Sequence, residues 1–110
     1  MTEELLQFIE ELLEALDEAH AEIHDATEEI HESRRTADRC CDRIRSLVKD
    51  ARNAPDDQKD SYLRDIDDEN DEIESQIAKI DDYNDNIIEA DIDSDDMRKR
   101  LEILKVKTQL

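Results

Sequence analysis

The sequence contains no glycine, no tryptophan and a single proline, and its only aromatic residues are Phe8, Tyr62 and Tyr83. β-Hairpins and phosphate-cradling loops need backbone at positive φ, and glycine is its usual supplier. A chain of 110 residues without one argues against sheets, nucleotide loops and most enzyme scaffolds together. Helices need glycine only at their ends, which leaves an all-α fold as the expectation. No apolar run approaches the roughly 18 residues that a membrane span requires. Met1-Thr2-Glu3-Glu4 lacks the basic start of a signal peptide. The expected setting is therefore cytoplasmic or a virion, without membrane contact and without secretion by a standard signal. Cysteine is scarce as well. Cys40 and Cys41 are adjacent, so they form no disulfide framework and lack the CxxC spacing of redox or zinc sites. They read as small apolar residues at a helix seam.

Positive charge is also in short supply. Thirty-four acids face fifteen bases, a net charge of −19. Such a field repels nucleic acid and anionic membranes. It fits a chain that is disordered, one that binds cationic partners or imitates nucleic acid, or one that works in concentrated salt. Disorder conflicts with the regular apolar spacing described next. The remaining details favour salt: 19 Asp exceed 15 Glu, 9 Arg exceed 6 Lys, and the acids are spread along the chain. This composition resembles that of proteins from extreme halophiles, where screening removes self-repulsion.

From Leu5 to Ala51 the apolar positions step by four and three without a break. They are Leu5, Ile9, Leu12, Leu16, Ala19, Ile23, Ala26, Ile30, Ser33, Ala37, Cys40, Ile44, Leu47 and Ala51, of which only Ser33 is polar. Nearly seven heptads in one register predict a continuous coiled-coil helix over residues 3–52. Asn53-Ala54-Pro55 then predicts a tight turn at 53–55. Asn tolerates the left-handed conformation that ends a helix, and Pro suits the first position of the next. A second seam is expected over 56–91 through Leu63, Ile66, Asn70, Ile73, Ile77, Ile80, Asn84 and Ile87. The pattern lapses at 91–96 and returns in another phase at Met97, Leu101 and Leu104. This predicts a kinked or separate short helix over 95–109, with Ser94 as its cap.

Charge blocks set the expected pairing. Residues 1–33 carry −12 and residues 34–52 carry +4; residues 53–96 carry −15 and residues 97–110 carry +4. Folding at Pro55 brings each basic block against an acidic one, since equal rise in both helices sets residue i near ~108 − i. Opposite charges flanking a seam select orientation. The expected architecture is thus a single helical domain, an antiparallel coiled-coil hairpin that oligomerises. An acidic waist remains, Asp17 to Glu32 on one helix and Asp81 to Asp93 on the other.

Few constellations suggest chemistry. His20 and His24 are one turn apart and could share a metal, but neither HExxH nor paired ExxH motifs occur. In Asp91–Glu102, acids at Asp91, Asp93, Asp95 and Glu102 occupy positions 1, 3, 5 and 12 of a calcium loop. The twelve residues resemble an EF-hand loop, though Asp96 stands where that family has Gly and Arg98 where it has an apolar residue. A Ser94-capped helix start accounts for the same residues. No Ser/His/Asp or Cys/His arrangement is readable, and no cofactor or resident metal is expected.

The strongest functional signal is an apolar surplus. Leu6, Phe8 and Leu13 flank the first seam, and Ile103, Val106 and Leu110 flank the last. Contiguous apolar surface marks association. These six residues are the expected interaction patch. The expected function is that of a non-enzymatic structural or adaptor protein, joining itself or a larger protein assembly in a halophile or its virus. Two other functions fit the composition: an acidic nucleic-acid mimic that inhibits a DNA-binding protein, and a cation-binding helical module.

Overall fold

A computed structural model describes the backbone of residues 2–109 and the side chains of residues 2–105. Two α-helices, α1 (Glu3–Asn53) and α2 (Asp56–Gln109), form a helical hairpin. Among the described residues there is no strand. Thr2 caps α1. Its Oγ1 accepts from the Leu5 N–H at 3.3 Å and its carbonyl accepts from the Leu6 N–H at 3.2 Å. Glu3 and Glu4 follow in the first turn, where the helix dipole favours anions.

The connection is tight. Ala54 N–H donates to the Ala51 carbonyl at 3.3 Å, and Gln58 N–H donates to the Pro55 carbonyl at 3.0 Å. The left-handed residue expected at Asn53 is not used, since no described residue has positive φ. Asn53 instead donates from its side-chain Nδ2 to the Lys49 carbonyl at 3.2 Å, which satisfies one of the orphan acceptors at the helix end. Pro55 stops α1 because it disfavours helical backbone at Ala54.

The chain divides into two compact units. One comprises residues 1–28 with 83–110, and the other residues 29–82. In the second unit the α1 seam is Ile30, Ser33, Ala37, Cys40, Ile44, Leu47 and Ala51, all buried or half-buried. The α2 seam there is Tyr62, Ile66, Glu69, Ile73, Gln76 and Ile80. In the first unit, Leu5, Ile9, Leu12, Leu16, Ala19, Ile23 and Ala26 bury against α2. Tyr83, Ile87, Ala90, Ser94, Met97, Leu101 and Leu104 line the α2 side. The α1 seam lies where its spacing places it.

The α2 seam differs from expectation in two ways. Leu63, Asn70, Ile77 and Asn84 are exposed, while Tyr62, Glu69, Gln76 and Tyr83, one residue earlier, turn inward. Both sets share Ile66, Ile73, Ile80 and Ile87, so both keep the three–four rhythm. The earlier set wins because it alone continues through Ala90, Ser94, Met97, Leu101 and Leu104 without a phase change. For the same reason the separate C-terminal helix is not formed. α2 runs unbroken through 91–96, and Ser94 is a buried seam residue, not a cap.

The core is thin. The buried apolar side chains are Leu12, Ala19, Ala26, Ile30, Cys40 and Ala90, and only Leu12 and Ile30 among them are large. Burying a large aliphatic side chain contributes about 1.5–3 kcal/mol, so two of them do little against the ordering of long helices. The half-buried residues along the seam supply the rest.

Candidate functional site

The unit of residues 29–82 carries its polar residues inside the seam. Cys40 on α1 is only 2% exposed and lies beside Glu69 on α2. Arg43, one turn further along α1, donates from Nη1 to Glu69 Oε1 at 3.0 Å. This ion pair crosses between the helices, as the basic block 34–52 facing acidic α2 led one to expect. The Arg43 guanidinium holds the Glu69 carboxyl below its ordinary range, with a smaller contribution from the Cys40 thiol. Yet Glu69 Oε2 is buried without a partner in hydrogen-bonding geometry. Burial first, and then the neighbouring carboxylate, push the Cys40 thiol up. A thiol held protonated and covered is a poor nucleophile. Seven residues away on each helix, in opposite directions, the same register sets Ser33 level with Gln76, and both are buried.

Two open grooves flank this cluster. One of about 490 Å³ is lined by Asp42, Arg43, Ser46, Leu47, Asp65, Asp68 and Glu69. The other, of about 340 Å³, is lined by Thr36, Arg39, Cys40, Arg43, Asp68, Glu69 and Glu72. Charged side chains dominate both, whereas small-molecule pockets are mostly apolar with a few placed polar groups.

In the other unit, His20 Nε2 sits 3.3 Å from Ser94 Oγ, joining α1 to the seam of α2. His24 is exposed, and among the described residues no three potential ligands converge on a metal-sized site. The loop-like spacing at Asp91, Asp93, Asp95 and Glu102 lies on continuous helix. A calcium loop must curl so that its ligands converge; at 100° per residue along a helix, Asp91 and Asp93 diverge. Asp95 is already engaged, with Arg98 at 2.9 Å and Lys99 at 3.2 Å, and Asp96 binds Arg100 at 3.2 Å. Arg98, Lys99 and Arg100 of the C-terminal basic block therefore close on acids of their own helix. Its expected pairing with the acidic start of α1 does not describe these three residues. The exposed acids of this unit, among them Asp17, Glu22, Asp25, Asp85, Asp91 and Asp93, have no basic side chain opposite them among the described ion pairs.

Of the six residues expected to form an apolar patch, Leu6, Phe8, Leu13 and Ile103 are exposed. The side chains of Val106 and Leu110 lie outside the described residues. Exposed apolar residues also occur where the sequence reading placed none: Ile88 and Ile92 in the first unit, Leu63 and Ile77 in the second. Leu63 and Ile77 were assigned to the seam and stand just beside it. Ile88 and Ile92 fall opposite the seam once α2 is phased on Tyr62, and that phase was the signal that could have found them.

Among the described residues no helix is long and apolar enough to cross a membrane. The class defined by this geometry is a two-helix hairpin with many exposed carboxylates and a partly polar seam. No family model, curated protein or solved structure matches the chain.

Proposed function

We propose that this chain acts by helix-mediated association with other protein, as a structural or adaptor component without catalytic activity, in a high-salt setting such as a halophile's cytoplasm or virion. One observation carries the reading. Among the described residues eight large apolar side chains are exposed, whereas only Leu12 and Ile30 of that size are buried. Scattered exposed apolar residues are ordinary, but an excess of this size on a thin core points to surface that is covered in the working state. The net charge of −19 supports the salt component, because carboxylates with no base opposite tolerate one another when screening is short-ranged. The protonated, covered Cys40 thiol and the charged grooves give no support to catalysis.

The test is the state of assembly. Wild-type protein should sediment as an oligomer or capture a protein partner in molar KCl, and Phe8→Ser with Leu13→Gln should weaken partner capture. Helicity should be retained, since Leu5, Ile9, Leu12 and Leu16 keep the seam. A wild-type chain that stays monomeric and captures no protein in high salt discards the reading. Capture of a basic DNA-binding protein, competed by duplex DNA, would replace it with nucleic-acid mimicry.

A further inference from the structure

The outer face of α2 in the unit of residues 1–28 with 83–110 carries three exposed isoleucines turned away from the seam. Ile88, Ile92 and Ile103 are 59%, 63% and 57% exposed. At 100° per residue they fall within a stripe about 60° wide, centred opposite the seam residues Ile87, Ala90 and Ser94. Three isoleucines on the solvent side of a helix otherwise so polar are a costly arrangement unless something covers them.

The charges around the stripe say what does. Asp81, Asp82, Asp85, Glu89, Asp91 and Asp93 precede its midpoint, with no base among them. Arg98, Lys99, Arg100, Lys105 and Lys107 follow it, with Glu102 as the one acid. At the midpoint, Asp95 and Asp96 pair with Arg98, Lys99 and Arg100, so residues 81–94 carry −6 and residues 95–107 a net +2. The segment is thus acidic on one side of residues 95–96 and basic on the other. Such a segment is complementary to a copy of itself turned end for end.

We propose that two copies of this chain pair through the outer faces of their α2 helices, antiparallel, about a two-fold axis near residues 95–96. This rests on the association reading above and names its first partner as a second copy. The arrangement sets Ile88 of one copy against Ile103 of the other and brings Ile92 against the aliphatic stem of Lys99. It faces the acidic residues 85–93 of each copy with the basic residues 98–105 of its partner. A parallel pairing would place like blocks together, acid on acid and base on base. Because the same patch serves on both copies, the assembly closes as a dimer instead of growing into a filament. Leu6, Phe8 and Leu13 on α1 stay outside this interface and remain free for a different contact.

The experiment mixes unlabelled and ¹⁵N-labelled protein in molar KCl and couples carboxyl to amine with a zero-length cross-linker. Mixed-isotope peptide pairs report contacts between copies only. Lys99 or Lys105 should join Asp85, Glu89 or Asp91 of the other copy, and Ile88→Asp with Ile92→Asp should halve the sedimenting mass with helicity unchanged. A wild-type oligomer whose mixed-isotope links lie elsewhere overturns this pairing while leaving association intact. So does an oligomer that keeps its mass in the folded double variant. A monomeric wild-type chain overturns this pairing, and one that also captures no protein overturns association as well.

Discussion

Glu69 stands at a seam position that a coiled coil ordinarily fills with an apolar side chain. One of its oxygens is held by Arg43 at 3.0 Å, and the carboxylate lies beside the buried Cys40 thiol. A carboxylate there gives less than a packed leucine would, but polar seam groups can fix register. Leu63 and Ile77 stand one residue along from Glu69's own set and offer a competing apolar stripe on α2. Glu69 against Cys40 and Arg43, with Ser33 level with Gln76, gives the correct stripe something the slipped one cannot reproduce. The ion pair also sets a pH dependence. Arg43 depresses the folded-state carboxyl, so its stabilising contribution is present above the ordinary carboxylate range and is lost as pH falls through the lowered folded value. Urea midpoints of the parent and Glu69→Gln, followed from neutral pH into acid, should therefore converge as the carboxyl protonates. A difference that stays constant over that range would show that the pair contributes nothing to stability.

Along α1 the seam was fully legible, because thirteen of its fourteen positions are apolar or small and only Ser33 is polar. α2 was legible as a helix but not in its phase. Hydrophobicity alone favours Leu63 and Ile77 over Glu69 and Gln76, and the physical preference reverses only when the whole helix is considered. Met97, Leu101 and Leu104 lie five heptads beyond Tyr62, Ile66 and Glu69, so a phase that begins at Tyr62 needs no break. Once that phase is adopted, Ser94 falls in the seam and Ile88 and Ile92 fall outside it, which is how the outer stripe escaped a reading based on local apolar runs. The hydroxyl–imidazole contact of Ser94 with His20 had no sequence signal at all, since it joins residues 74 apart. Continuity through 91–96 has a direct check. Proline at position 93 would remove a backbone hydrogen bond and clash with the carbonyl four residues back. Asp93→Pro should cost about 3 kcal/mol or more in thermal or urea unfolding. A variant as stable as its parent would restore the break.

At the level of the whole molecule, electrostatics and chain connectivity govern behaviour. With −19 on 110 residues, exposed carboxylates repel along both helices, and the described ion pairs are mostly exposed and contribute little. Helicity followed by circular dichroism should be low in dilute buffer and rise cooperatively toward molar KCl. Complete cooperative folding at low ionic strength would separate the acidic composition from any salt requirement.

The tight connection at Ala54-Pro55 has a kinetic consequence. Residues either side of it close a short loop, whereas residues 1–28 meet 83–110 only across the whole of the intervening segment. Loop-closure entropy therefore favours zippering outward from the turn. On that ground the unit that contains the turn is expected to form first and the unit that carries Ile88, Ile92 and Ile103 to order last. A second copy gripping that stripe would hold down the unit whose closure spans the longest loop. Dimerisation on this surface would then complete the fold as much as it joins two finished molecules.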